Sequence, residues 1–201
     1  MDIVERVKKI CLTPDTEWNV IAGEHTPAAT LITGYVLPLA AIGAAAGLIG
    51  NSLVGQSVAL LGVTYRTPLP TALGIAVLSV VMAAVGVFLL SLIIDALAPT
   101  FGAVKNSAEA LKVAVYSATP AWVAGVFQIL PALGVLALLG ALYALYLLYV
   151  GLPRLMKCPE DKAVSYTVVV VVCALVIGIV VSSISGMVFG GGVSGVPGLN
   201  P

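Results

Sequence analysis

The sequence predicts an all-α, polytopic membrane bundle of five transmembrane helices with a short amphipathic N-terminal segment. Two observations carry that prediction. Only nine Lys/Arg and nine Asp/Glu occur among 201 residues. They fall in short clusters, leaving residues 26–65, 67–94, 113–153 and 163–201 without a charged side chain. A helix rises about 1.5 Å per residue, so roughly 20 apolar residues cross a bilayer, and each stretch is long enough. The second observation is composition. The chain is 60% hydrophobic with mean hydropathy +1.13, where soluble domains hold about 45–50% apolar residues.

Residues 2–12 come first. Ile3, Val7 and Ile10 share one helical face while Arg6, Lys8 and Lys9 lie elsewhere, which reads as a membrane-surface anchor or a docking segment for a cytoplasmic partner. Thr13-Pro14-Asp15 restarts a helix, with Thr13 as N-cap, Pro14 at the first helical position and an acid in the first turn. Trp18 is expected at the membrane interface. Residues 1–27 thus form a cytoplasmic segment, 28–190 the membrane domain and 191–201 an external tail.

The first span is expected over 28–50. Asn51, Ser52, Gln56 and Ser57 interrupt it, and 57–63 is too short to cross, so it lies at the surface or dips in partway. The second span covers about 73–97. Asn106 followed by Glu109 reads as a capping box opening the third helix. The charge-free run 113–153 would make a helix about 60 Å long, twice the hydrocarbon thickness, so it folds back. Gln128, Pro131 and Gly134 mark the turn, giving spans over 112–130 and 132–150. The last span, 164–188, is rich in Val and Ile. Lipid offers the backbone no hydrogen bonds, so helix prevails there over β propensity. The first charge-free run follows an acidic and basic segment and does not read as a cleaved signal peptide.

With five spans, Arg6, Lys8, Lys9, Lys105, Lys112, Arg154, Lys157 and Lys162 share one side and Arg66 stands alone on the other. The positive-inside rule then predicts a cytoplasmic N-terminus and an external C-terminus.

The side chains limit the chemistry. Net charge is zero, so nothing argues for nucleic acid. The single His25 has no Cys or carboxylate cluster at ligand spacing, and the three Cys are isolated, so no metal, cofactor or disulfide framework is expected. There is no Gly-x-Ser-x-Gly elbow and no phosphate-binding Gly-rich loop. The chain reads as a non-enzyme. Asp95 is the one acid at membrane depth, and such acids mark either a structural contact or an ion path. A contact to Lys105, to Lys112 or to the turn amides of 100–102 is expected. Gln128 is a further polar site within the spans. Gly43 and Gly47, and Ser182 and Gly186, form small-x-x-x-small pairs suited to helix packing, first within the chain and second between two copies. Pro38 and Pro120 can kink their spans. Tyr143, Tyr146 and Tyr149 read as an aromatic belt.

The stretches LAPTFGAVKNSAEALKVAVYSATPAW (97–122) and ILPALGVLALLGALYALYLLYVGLPRLMK (129–157) resemble the Yip-domain family. These are integral membrane proteins that interact with Ypt/Rab GTPases. LTPDTEWNVIAGE (12–24) and GYVLP (34–38) resemble its prokaryotic branch. The similarity covers roughly 5–185 and includes Asp95, Pro99, Phe101, Gly102, Tyr116, Pro120, Pro131, Tyr143, Gly151 and Pro153. It implies five spans and, in eukaryotic members, work in vesicle formation and Rab recruitment. None of the matched positions has a chemical role in the family. The expected function is a non-enzymatic membrane protein of the prokaryotic plasma membrane that organises membranes or recruits partners. Its partners would be the lipid bilayer, a cytoplasmic protein and a second copy of itself. The alternative is a small transporter, channel or lipid-moving protein with a cavity near Asp95 and Gln128.

Overall fold

The computed structural model describes residues 2–58, 63–130 and 133–189. Five helical segments are long and apolar enough to cross a membrane: Ala28–Val54, Leu69–Phe101, Ser107–Ile129, Val135–Met156 and Glu160–Ile184. They belong to an all-α bundle preceded by two short helices, α1 (Ile3–Leu12) and α2 (Pro14–Gly23). The expected count of five stands, and the first span starts at residue 28 as expected; the other ends shift. The tail 191–201 and Pro131 of the expected turn lie outside the described residues.

The first span, α3 (Ala28–Val54), runs one turn further than expected. Pro38 has no N–H to donate to Gly34. The turn before it widens to π geometry over Ile32–Val36, and the Leu37 N–H reaches the Ile32 carbonyl five residues back. A second π turn, Gly50–Val54, ends at Gly55, whose φ of 86° suits glycine. Among the described residues the interrupted stretch forms no spanning helix. It leads into a short antiparallel pair, β1 (Gln56–Val58) with β2 (Val63–Tyr65), with Ser57 opposite Thr64. Residues 59–62 lie outside the described residues.

The second span comprises α4 (Leu69–Leu97) and a 3-10 turn, Ala98–Phe101. Gly102 at φ 70° then turns the chain, with the Ala103 N–H bonded to the Ala98 carbonyl. The third span is broken. α5 (Ser107–Ser117) and α6 (Thr119–Ala124) meet just before Pro120, and a 3-10 stretch Gly125–Ile129 follows. Asn106 Oδ1 caps α5 by accepting from the N–H groups of Ala108 and Glu109. Only half of the expected capping box forms, because Glu109 turns to Lys112 instead. The fourth span is α7 (Gly134–Met156). It continues through Pro153 rather than ending at 150, and Lys157 in the left-handed region stops it. The last is α8 (Glu160–Phe189).

α5 is the central element. Residues Ala110 to Ser117 are all buried, between α4, α7 and the start of α3. α4 also packs on α3 and α8, and α6 on α7. Small residues set the closest approaches. A Cβ on Gly50 would fall 2.0 Å from the Gln128 carbonyl oxygen, and one on Gly140 2.3 Å from the Ala124 Cβ. The outer faces of α4 and α8 are apolar: Val77, Val81, Leu92, Val172, Leu175 and Ile179 are exposed. A bilayer covers such faces, and helix contacts inside it rest on small residues and close packing.

The N-terminal segment departs most from expectation. α2 packs along α7, and Trp18 is fully buried against Gly151 rather than exposed on the outer surface. Ile10 is fully buried, and Arg6 is buried with it instead of facing away. Thr13 precedes α2 as expected, but its hydroxyl donates to the Lys9 carbonyl and caps nothing. Tyr143 is not simply a belt residue, since its hydroxyl donates to the Cys11 carbonyl at 2.8 Å.

Candidate functional site

A charge network is buried where α1 and α2 meet α5. Arg6 donates from one guanidinium nitrogen to Glu17 and from the other to Glu24. The fork geometry of guanidinium lets one side chain tie two carboxylates. Arg6 also lies 5.7 Å from the centroid of the Tyr116 ring. Burial works against the Arg6 charge. The hydrogen bond to Glu24 and the charges of Glu24 and Glu17 outweigh it and hold the Arg6 pKa above its ordinary value.

Lys112 is the second cation, 2% exposed. Its Nζ donates to the carbonyls of Ile21 (3.2 Å) and Glu24 and to Glu109 Oε1 (2.8 Å). The two carbonyls lie at the C-terminal end of α2, where a cation is favoured; the Ile21 carbonyl also accepts from the N–H of Glu24, which caps the helix. Glu109 Oε2 is buried with no hydrogen-bond partner among the described residues. Below the network, Tyr35 and Tyr116 meet edge to face at 5.0 Å, and the Tyr35 hydroxyl lies 2.9 Å from Thr119 Oγ1. At the rim, Arg154 Nη2 donates to Asp15 at 2.6 Å.

Three carboxylates thus face two cations. Such a cluster adds little net stability when complete, because desolvation offsets attraction, but removing one partner leaves a buried charge exposed to that cost. The network therefore fixes where α2 sits rather than supplying most of the folding energy.

A cleft of about 590 Å³ opens beside it, lined by Glu5, Arg6, Lys9, Glu17, Glu24 and Thr30 among others. Two further clefts lie among the spans. One, about 240 Å³, is bounded by Gly43, Gly47, Asn51, Ser79 and Gln128. The other, about 700 Å³, lies between α4, α5 and α8 and is mostly apolar.

The sequence-predicted positions scatter across this architecture. Lys112 is in the network. Lys105 is exposed on the 103–106 loop. Asp95, near the end of α4, has a buried Oδ1 with no hydrogen-bond partner among the described residues, and it lines none of these three clefts. Beside it the Tyr166 hydroxyl donates to the Ile94 carbonyl. Gln128 sits at the opposite end of the bundle, its Oε1 3.2 Å from where a Gly47 Cβ would be. Gly43 faces the Gly125 backbone, whereas nothing lies within 4 Å of a Cβ on Gly186. Ser182 Oγ donates to its own helix at Gly178. Among the described residues, no group of three or more His, Cys, Asp or Glu side chains is placed to hold a metal ion.

Sequence reasoning missed Arg6, Glu17 and Glu24. The signal is present: Pro14, Glu17, Trp18 and Ile21 form an i, i+3, i+4, i+7 stripe with an acid inside it. Ile3, Arg6, Val7 and Ile10 form a matching stripe with a base inside it. Opposite charges embedded in two apolar stripes predict that the stripes meet.

Neither a curated protein nor a solved structure matches the chain. The Yip1 domain family matches residues 8–184, a range holding α2, the network's Glu17, Glu24 and Lys112, and all five spans, and the chain belongs to that family.

Proposed function

We propose that this chain is a non-enzymatic protein of the prokaryotic plasma membrane that organises the bilayer or recruits partners to its cytoplasmic face. The observation that carries the proposal is asymmetry between the two ends of the bundle. One end holds α1, α2, the buried network and the polar cleft, together with eight of the nine basic residues; the other has Arg66. That charge bias supports a cytoplasmic N-terminus and an external C-terminus. Two helices added at one end broaden the protein there, and the cleft between them and α3 is the natural place for a cytoplasmic partner or a second copy to engage.

The transporter alternative has less support. Its two polar landmarks do not share a cavity, since Asp95 and Gln128 lie at opposite ends of the bundle. The experiment is reconstitution into liposomes with two readouts, vesicle shape by electron cryomicroscopy and proton or cation flux by entrapped dye. The expected result is a protein-dependent change in vesicle size or curvature with flux at the protein-free level. Unchanged vesicles together with flux that Asp95→Asn abolishes would overturn the proposal.

A further inference from the structure

α1 is docked off its own apolar axis. At 100° per residue, Ile10, Ile3, Val7, Cys11 and Val4 share an arc of about 120°, with Arg6 flanking one edge and Lys8 the other. If burial of apolar surface alone set the orientation, Val7, at the arc's centre, would face the bundle. Instead the helix is turned by roughly 60° toward Arg6. Arg6 and Ile10 are buried, Ile3, Val7 and Cys11 half-buried, and Val4 remains 75% exposed. Leu12, about 80° beyond Val4 on the far side of Lys8, is 69% exposed. The pull of Arg6 toward Glu17 and Glu24 accounts for the rotation.

An apolar arc flanked by Arg6 and Lys8 fits a second environment better than it fits the bundle. With Asp2, Glu5, Arg6, Lys8 and Lys9, residues 2–12 carry a net single positive charge. A short helix of this pattern lies in a bilayer interface, its apolar side in the acyl boundary and its basic flanks on anionic headgroups. α1 is also the detachable half of the N-terminal pair. α2 is held by Lys112 and by buried Trp18, whereas α1 holds by Arg6, by Ile10 and by the Tyr143–Cys11 hydrogen bond, with the rest of its docked face half-buried. Thr13-Pro14 provides the joint between them.

We propose that α1 is a two-position helix: docked on the bundle through Arg6, or released onto an anionic lipid surface that takes its whole apolar arc. A surface shifts such an equilibrium only by binding one position better, and anionic headgroups do so through Arg6, Lys8 and Lys9. The device would make the N-terminal face of the protein respond to lipid charge. It goes beyond the proposed function and does not require membrane remodelling, so the two fail separately.

The test is a distance measurement between spin labels at Glu5→Cys and Lys105→Cys, with Cys11, Cys158 and Cys173 replaced by Ala. The full-length chain is placed in nanodiscs of phosphatidylcholine alone or of an equal mixture with phosphatidylglycerol. The expected result is one docked distance in the neutral discs and a second, longer population in the anionic ones, with the released-to-docked ratio rising on the order of tenfold. Arg6→Ala should populate the longer distance in neutral discs. Val4→Gln with Lys8→Gln, both on exposed positions, should keep the docked distance and remove the response to phosphatidylglycerol. A single distance unchanged by lipid, or a lipid response that survives the Val4/Lys8 pair, overturns the proposal.

Discussion

Lys112→Met offers the sharpest test of the buried network. Methionine nearly matches lysine in length and removes only the charged, donating end. The Glu24 carbonyl and Glu109 Oε1 lose their donor, while the Ile21 carbonyl keeps the Glu24 N–H. A buried carbonyl left bare costs about 1–3 kcal/mol, and breaking a buried ion pair from one side about 3–5 kcal/mol. Glu109 keeps 19% of its side chain exposed, and part of the Glu24 side chain is exposed as well, so water relieves some of that loss. The expected destabilisation is therefore near the lower figure, about 3 kcal/mol. Glu109→Gln in the same background removes the stranded charge and should recover about 1 kcal/mol or more. The assay is reversible unfolding in mixed micelles of dodecylmaltoside and SDS, followed by tryptophan fluorescence, for both single variants and the double. A Lys112→Met loss below about 1 kcal/mol, or strict additivity with Glu109→Gln, would refute the network's role in holding α2.

Other outcomes follow from the same geometry. Gly50→Ala places a methyl 2.0 Å from a backbone oxygen and should cost at least about 2 kcal/mol. Gly186→Ala meets nothing within 4 Å and should stay within about 0.5 kcal/mol of the parent in the same unfolding assay. Burial pushes the Cys158 thiol above its ordinary pKa, with Asp161 adding to the effect. A raised pKa leaves less thiolate at neutral pH, so Cys158 should alkylate more slowly than a free thiol at pH 7 and approach it only as pH rises past the shifted value. A reporter fused after Pro201 should be external and one at Lys157 cytoplasmic; both on one side would defeat the five-span topology.

The spans were legible because lipid imposes a strong rule. Every backbone polar group must be satisfied within its segment, so a charge-free run of sufficient length has few alternatives to helix. Their ends were less legible. Hydropathy marks the hydrocarbon core, whereas α4 is extended by Pro68–Leu69–Pro70 at one end and the 3-10 turn at the other, both outside what a hydropathy window sees. The fourth span is expected to end at 150, yet α7 runs on through Pro153. In the fold it sits one turn before the end of α7, where the carbonyl it crowds and the hydrogen bond it forfeits are both near a terminus. Gly43 was readable as a packing position, but its partner was not, since Gly125 lies on a 3-10 stretch with no periodic signature of its own.

The N-terminal network was hidden for a different reason. A charged residue beside an apolar stripe is normally solvated, and reading Arg6 that way sends α1 to the membrane surface. The inference fails when a second segment carries the opposite charge inside its own stripe, because both desolvation costs can then be met at once. Glu17 supplies that charge from α2, and Glu24, at the junction to the first span, adds a second acceptor. The central helix explains why the arrangement is stable. α5 is buried from Ala110 to Ser117 yet carries Lys112, whose acceptors among the described residues are Glu109 on its own helix and the two carbonyls that end α2. Those carbonyls reach Lys112 only if residues 14–24 fold back onto the bundle. A lysine in the innermost helix thus dictates the position of a segment far away in sequence, and that segment in turn builds the polar cleft at the basic end of the protein.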